Sequence, residues 1–188
     1  MSLADEALWD EKWANWDRLP EPSRLLHRST SVLSGGIALD VACGPGHNAV
    51  WLASRGYKAL GVDISQAALC WGMEQVREAG LVSRVLLAQV DLDRWRPPAN
   101  SFDLVCVFRF LNRELVPALL AALRPGGILI YHTYHVGRLA FHPDATRSFL
   151  LLQGQLQEWT AGWDILHEEE DLEMAGIVAR KTEASSER

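Results

Sequence analysis

Two glycines follow the first strongly apolar run of the chain, in the segment Ala38-Leu-Asp-Val-Ala-Cys-Gly-Pro-Gly-His-Asn-Ala49. Because Gly44 and Gly46 lack a Cβ, a ligand can approach their backbone, and the helix predicted after them directs free N–H groups at that ligand. Asp63 ends the next apolar run, where a carboxylate can accept hydrogen bonds from both hydroxyls of a ribose. These two features predict a site for an adenosine-containing cofactor.

The glycine spacing alone does not identify that cofactor, because Gly44-Pro-Gly46-His-Asn-Ala49 also fits the G-x-G-x-x-[GA] pattern of dinucleotide enzymes. Asp40 lies at the end of the preceding strand, beside the loop. Its charge would repel a pyrophosphate and attract the ammonium group of a methionyl moiety. Asp40 therefore favours S-adenosylmethionine over NAD.

A third acid ends the third apolar run, in Gln89-Val-Asp91-Leu92. At that position the carboxylate of Asp91 can accept from the exocyclic amine of adenine, while Leu92 packs on the ring. The alternative is that Asp91 caps a turn, since Asp93 follows closely.

The middle of the chain alternates short apolar runs with amphipathic stretches, a pattern typical of βαβ units. Five runs are too continuous for half-exposed strands and predict a parallel sheet covered on both faces, at residues 37–43, 58–64, 84–90, 102–108 and 127–134. Helices are predicted at about 47–55, 66–79 and 113–123, the last one stopping at Pro125-Gly126-Gly127. Residues 163–170 and 175–181 predict an antiparallel hairpin. The expected fold is α/β, a Rossmann-like doubly wound sheet of seven strands.

Three segments are expected. Residues 1–34 hold two predicted helices divided by Pro20-Glu-Pro22 and form a helical lid, residues 35–181 form the cofactor-binding domain, and residues 182–188 form a frayed polar tail. Trp9, Trp13 and Trp16 recur at helical spacing in the lid, which is typical of a packed helix stripe.

Five motifs resemble, in their order and spacing, the class I S-adenosylmethionine-dependent methyltransferases: Leu39-Asp-Val-Ala-Cys-Gly-Pro-Gly, Gly61-Val-Asp-Ile-Ser65, Gln89-Val-Asp-Leu92, Phe102-Asp-Leu-Val-Cys and Leu123-Arg-Pro-Gly-Gly127. Within that class, Asn48-Ala-Val-Trp-Leu-Ala-Ser-Arg-Gly56 is most similar to the tellurite-resistance-type and thiopurine-type enzymes, which act on small nucleophiles.

The resemblance implies S-adenosylmethionine as cofactor, S-adenosylhomocysteine as product and a small-molecule methyl acceptor. It places Asp40 near the methionyl end, Asp63 on the ribose and Asp91 on the adenine. The full set of implied cofactor residues is Asp40, Ala42, Gly44, Gly46, Asn48, Asp63, Ile64, Asp91, Leu92 and Phe108. The family usually has glycine where Ala42 stands, so we expect a slightly fuller loop and reduced but surviving cofactor affinity.

Residues just past the fourth and fifth strands should face the transferred methyl group: Arg109, Phe110, Asn112, His132, Tyr134 and His135. Arg109, His132 and Tyr134 are the candidate catalytic residues. Either histidine could accept a proton from the acceptor, although strand alternation puts the two on opposite faces. Arg109 and Arg138 could hold an anionic acceptor, and a solvated surface role is the alternative for each histidine and for Arg138. Acceptor specificity is expected from the N-terminal segment and from residues 136–147.

Composition excludes several classes. A net charge of -6 and a pI near 5.5 leave no basic footprint for nucleic acid, and no apolar stretch reaches the roughly 18 residues of a membrane span. Three scattered cysteines without a CxxC pair suggest a cytoplasmic chain. His132, His135 and His142 supply no tetrahedral set, so no metal is expected. We expect a monomer or a homodimer.

Two other functions stay open on the residues alone. One is an NAD(P)- or flavin-binding oxidoreductase, against which the three acids count. The other is a non-catalytic protein that keeps the cofactor fold and binds a partner. The chain lacks an Asn/Asp-Pro-Pro-Tyr-like segment after the fourth strand, which disfavours methylation of amino groups on bases. Attack by sulfur, oxygen, nitrogen or a metalloid is left undecided.

Overall fold

The computed structural model describes residues 3–16 and 18–182. Within them, the strands are β1 (Gly36–Val41), β2 (Tyr57–Asp63), β3 (Val85–Gln89), β4 (Phe102–Phe108), β5 (Leu123–Tyr134), β6 (Asp164–Glu170) and β7 (Met174–Arg180). They form one sheet in the order β3-β2-β1-β4-β5-β7-β6. The first five strands are parallel, and β7 runs antiparallel to both β5 and β6. The predicted fold class is confirmed.

Helices cover both faces of this sheet. Their bounds are α1 (Leu3–Ala14), α2 (Arg24–Arg28), α3 (His47–Ser54), α4 (Gln66–Glu78), α5 (Val116–Ala122) and α6 (Gln155–Trp159). Helices α2, α3 and α4 pack on one face, where Leu25, Leu52 and Val76 are buried in one core cluster. Helices α5 and α6 pack on the opposite face through Leu119 and Leu156. Both faces of the central strands are therefore buried, as their continuous apolar runs require.

The boundary between α5 and β5 differs from the prediction. The helix does not span the predicted residues 113–123: it covers Val116–Ala122, and Leu123 already belongs to β5. Leu123 is fully buried and pairs with Phe102, and the register shift that follows accommodates the Pro-Gly-Gly turn within the strand. At the other end, the Asn112 side chain accepts hydrogen bonds from the N–H groups of Glu114 and Leu115, so a capped turn precedes the helix.

The last residues of the expected tail, 183–188, lie outside the described residues. In the part of the chain that the structure describes, no helix combines the length and the apolar composition that crossing a membrane requires.

Helix α4 packs closely on the turn after β1. Ser65 caps the helix by accepting a hydrogen bond from the N–H of Ala68 at 3.1 Å. About two turns further on, Gly72 is buried, and a Cβ added there would overlap the carbonyl oxygen of Pro45. The glycine loop and α4 can approach this closely only because residue 72 has no side chain.

We predict that Gly72→Ala lowers the free energy of unfolding by about 2 kcal/mol, because the new methyl group meets backbone that cannot yield. Urea denaturation measures this change. Glu74→Ala, at an exposed position of the same helix, serves as control and should stay within about 0.5 kcal/mol. A gain in stability for Gly72→Ala, as helix propensity alone would give, would contradict the close contact.

Candidate active site

The carboxyl ends of β1, β2 and β4 gather the predicted residues at one edge of the sheet. Asp40 pairs in register with Gly61 of β2 and with Cys106 of β4. Asp63 closes β2 beside Gln89 of β3. In an open α/β sheet this edge is where ligands bind. The sequence-predicted acids are therefore brought together.

The loop after β1 has the left-handed backbone that glycine favours. Gly44 has φ +53° and Gly46 has φ +70°, and α3 starts directly after Gly46. Ala42 also has a positive φ, +53°, in a region where a Cβ costs roughly 1–2 kcal/mol. This explains physically why glycine is the usual residue there in the family that the sequence resembles.

Asp63 ties this loop to the turn after β2. Its Oδ2 accepts a hydrogen bond from the N–H of Gly44 at 2.7 Å, and its Oδ1 accepts one from the N–H of Ser65 at 2.9 Å. Burial raises the pKa of Asp63, and these backbone N–H groups partly offset that rise. The N–H of Ile64 also acts on this carboxylate. A carboxylate can accept about four hydrogen bonds, so the predicted contact with a ribose hydroxyl stays chemically open.

Asp40 is completely buried beside the loop. Its Oδ2 has no hydrogen-bond partner among the described residues. Burial, assisted by the charge of Asp63, raises the pKa of Asp40 to about 8. A buried carboxyl oxygen without a donor is costly, and an ammonium group placed there would supply one. The site thus fits the methionyl end of the implied cofactor.

His47 was not among the sequence-predicted site residues. It opens α3, and its Nδ1 is buried and has no partner in the described part of the chain. Burial lowers the pKa of His47 to about 4, and the charge of Arg109 acts in the same direction. The ring is therefore neutral near pH 7. In the sequence, the position of His47 directly after Gly46 was the signal that could have identified it as a site residue.

Other predicted cofactor residues have protein partners. Asp91 accepts a hydrogen bond from the N–H of Asp93 at 3.0 Å. This contact is the one expected if Asp91 caps a turn. Asn48 uses its side-chain oxygen to accept from the N–H of Ser23 at 2.9 Å, so it holds the segment before α2. Leu92 and Ile64 are buried, and Phe108 is half-buried at the end of β4. Their contacts with a cofactor stay predictions.

Arg109 follows β4 in a left-handed conformation, with φ +54°. Its backbone N–H donates to the carbonyl oxygen of His132 at 2.9 Å, which fixes the residue beside the end of β5. The side chain is exposed, and it forms no ion pair or hydrogen bond with any residue that the structure describes. A non-glycine residue held in this region commonly marks a functional position.

His132 points toward β6 across β7. Its Nε2 lies 3.7 Å from Glu169 Oε1, and Gly176 between them has no side chain to separate the two. Burial lowers the pKa of His132, although the charges of Glu169 and Asp171 oppose this effect. His132 can therefore accept a proton near neutral pH.

The remaining candidates near β5 are held in structural contacts. Arg138 forms an ion pair with Glu173, and its guanidinium lies over the ring of Tyr134, 4.1 Å from the ring centroid. His135 accepts from the N–H of Gly137 at 3.2 Å, and its Nε2 lies 3.0 Å from the carbonyl oxygen of Asp171. Of the two arginines considered for an anion, Arg138 is paired, and Arg109 has no ion-pair partner within residues 3–16 and 18–182.

The described ranges, 3–16 and 18–182, contain no group of three His, Cys, Asp or Glu side chains placed to hold a metal ion.

Comparison with known proteins identifies similar sequences and folds. A model described as a methyltransferase domain matches residues 38–127. Thiocyanate methyltransferase 1 of Arabidopsis thaliana is 31% identical over 153 residues, covering 75% of this chain and 67% of that protein. Trans-aconitate 2-methyltransferase of Paracidovorax citrulli is 31% identical over 121 residues, covering 60% of this chain and only 44% of that protein.

The fold is also similar to solved structures. The crystal structure of the [4+2]-cyclase SpnF superposes with a TM-score of 0.73 at 22% identity, covering 96% of each chain. At this level of identity the likeness concerns the fold alone.

We predict that Ala42→Gly raises the free energy of unfolding by about 1 kcal/mol, because glycine adopts the left-handed backbone without the Cβ penalty. Thermal or urea denaturation measures the change. Ala49→Gly is the control, because Ala49 lies inside α3 with right-handed backbone. There glycine should lower the free energy of unfolding by about 1 kcal/mol. Equal losses for the two variants would show that Ala42 is not strained.

Proposed function

We propose that this chain, which belongs to the class I S-adenosylmethionine-dependent methyltransferases, transfers the methyl group to a small anionic nucleophile. The observation that carries the anionic acceptor is the unpaired guanidinium of Arg109 at the end of β4. A location in the cytoplasm and a monomeric or homodimeric state stay predictions from the sequence.

The cofactor half of the proposal rests on the buried acids. Asp40 would hold the methionyl ammonium, for which its unpartnered Oδ2 provides an acceptor. Asp63 would hold the ribose through a lone pair left over by its backbone contacts. Asp91, just past the end of β3, would hold the adenine amine. When bound, S-adenosylmethionine supplies a methyl group already activated by its sulfonium. The chain therefore needs to orient a nucleophile and to exclude water.

The acceptor half rests on Arg109. A guanidinium recognises a carboxylate or a similar anion through paired hydrogen bonds. The backbone of Arg109 is anchored to β5 by its hydrogen bond to the carbonyl of His132, so the position from which the side chain extends is fixed. Two relatives are named for thiocyanate and trans-aconitate, and both of these compounds are anions at neutral pH. These names agree with a cationic acceptor site.

An anionic acceptor carries its nucleophilic lone pair at neutral pH, so no base has to ionise it. His132 has a lowered pKa and is neutral, and it would accept a proton only from an acceptor that arrives protonated. Tyr134 packs beneath Arg138 at the same strand end and would line the site. The chain's own contribution is then electrostatic and positional.

We predict that S-adenosylhomocysteine binding releases protons near pH 7. Free Asp40 is mostly protonated there, because its pKa is about 8, and the ligand ammonium would lower that pKa and expel up to about one proton. Above about pH 9 the carboxyl is already ionised and the release should vanish. Calorimetric titration in buffers of different ionisation enthalpy measures it.

Asp40→Asn should abolish the proton release and weaken binding, whereas Glu74→Gln, exposed on α4, should leave both unchanged. Heats that do not depend on the buffer between pH 6 and 8 would contradict the assigned role of Asp40.

We predict that Arg109→Gln raises KM for thiocyanate or trans-aconitate by about 10- to 100-fold, because a charged hydrogen bond of about 1.5–3 kcal/mol is lost. Arg109→Lys should recover part of this loss. Arg77→Gln, at an exposed arginine on α4, is the control and should have no effect. Steady-state kinetics with a panel of small anions, neutral thiols and phenols measures KM, and calorimetry measures cofactor affinity in parallel.

Two outcomes would redirect this proposal. If Arg109→Gln weakens S-adenosylhomocysteine binding as much as it raises KM, the guanidinium serves the methionyl carboxylate instead of the acceptor. If the chain binds S-adenosylhomocysteine but methylates no member of the panel, it is better described as a non-catalytic protein that keeps the cofactor fold.

A further inference from the structure

Helix α1 lies across the ends of β2 and β3, held by two acidic side chains. Asp10 Oδ1 accepts hydrogen bonds from Ser65 Oγ at 2.6 Å and from the N–H of Ala67 at 3.0 Å. One turn earlier, Glu6 Oε1 accepts from Gln89 Nε2 at 2.7 Å. These contacts dock α1 on the start of α4 and on the end of β3.

The aromatic contact of α1 is with the glycine loop. A Cβ built on Gly44 would lie 2.6 Å from Trp13 Cζ2, so the Trp13 ring rests directly on this glycine. The same ring lies 6.4 Å from Trp71 of α4 and 4.9 Å from Trp16, measured between centroids. Trp9, in contrast, is half-exposed with Lys12 over its ring. Only Trp13 of the predicted stripe reaches the loop.

Each docking point adjoins a residue assigned to the adenosine half of the cofactor. Ser65 is two residues past Asp63 and donates its own N–H to that carboxylate. Gln89 is two residues before Asp91. Gly44 donates its N–H to Asp63. Helix α1 therefore touches the three segments that converge on the ribose and adenine positions.

We infer that α1 covers the adenosine half of the cofactor site and that the hydrogen bonds accepted by Asp10 hold it closed. We call α1 the roof of the site and Asp10 its latch. The cofactor then enters and leaves only when Asp10 releases Ser65 and Ala67. The inference rests on the cofactor half of the proposed function and is independent of the acceptor.

The attachment of α1 is slight enough for such opening. Leu8 and Glu11 face solvent, and a helix of 12 residues is marginally stable without tertiary contacts. Half-exposed terminal elements whose described contacts include hydrogen bonds at their ends, as here with Asp10 and Glu6, belong to the class that opens locally below the global unfolding energy. The latch hydrogen bonds therefore control how often it opens.

The N-terminal segment divides its contacts between the two halves of the site. The sequence leads us to expect that it shapes acceptor specificity. Helix α2 lies on that side, since a Cβ on Gly176 would meet both Leu25 and His132. Helix α1 lies on the cofactor side. Changes in α1 should therefore alter cofactor exchange and not acceptor KM.

The test compares Asp10→Ala with Glu11→Ala in the full chain. Stopped-flow displacement measures the dissociation rate of S-adenosylhomocysteine. We expect Asp10→Ala to accelerate dissociation about tenfold, because two hydrogen bonds of the latch are lost, and to leave acceptor KM unchanged. Glu11→Ala removes a carboxylate from the solvent face of the same helix and should change neither quantity. An unchanged dissociation rate in a folded Asp10→Ala variant would overturn the inference.

Hydrogen exchange on the unmodified chain provides a second measurement that needs no variant. Saturating S-adenosylhomocysteine should slow amide exchange over residues 5–16, since a bound cofactor would add contacts beneath α1. Unchanged or faster exchange, with binding verified by calorimetry, would overturn the roof while leaving the methyltransferase proposal intact. Failure of the unmodified chain to bind S-adenosylhomocysteine would overturn the cofactor assignment and the roof together.

Discussion

The two hydrogen bonds accepted by Asp63 hold the site together. One comes from Gly44 after β1 and the other from Ser65 after β2, so a single buried carboxylate sets the spacing of two loops that belong to different βα units. The close packing of Gly72 on Pro45 presses α4 against the same loop, and Asp10 docks α1 on Ser65. Asp63 thus links the glycine loop to the turn that starts α4, and the contacts of Gly72 and Asp10 extend this set to α4 and α1.

Charge is distributed unevenly over the site. On one side, Asp40 and Asp63 are both buried, the charge of Asp63 helps raise the pKa of Asp40, and Asp40 Oδ2 has no donor among the described residues. On the other side, the exposed guanidinium of Arg109 lies near the neutral ring of His47. The first side suits a cationic group and the second an anionic one. A sulfonium cofactor with an ammonium, together with an anionic acceptor, would match this arrangement.

The architecture alone does not decide the reaction. A similar fold can carry a different chemistry, since this fold is also similar to that of a [4+2]-cyclase. What distinguishes one member of such a fold is the set of side chains at the carboxyl ends of the strands. In this chain these are Asp40, whose Oδ2 has no partner in the described part of the chain, Arg109 with its left-handed backbone, and the half-buried His132.

The strands, the glycine loop and the position of Asp40 and Asp63 at the strand ends were determined by the sequence itself, because apolar runs and left-handed turns are local properties of neighbouring residues. The α5 boundary was not, since Leu123 joins β5 only through its pairing with Phe102. Which charged side chains are paired also depended on residues that are distant in the sequence. The structure pairs Arg138 with Glu173 and leaves Arg109 unpaired, and it lets His132 meet Glu169 across Gly176. Such contacts join residues far apart in the chain, so only the folded packing decides them.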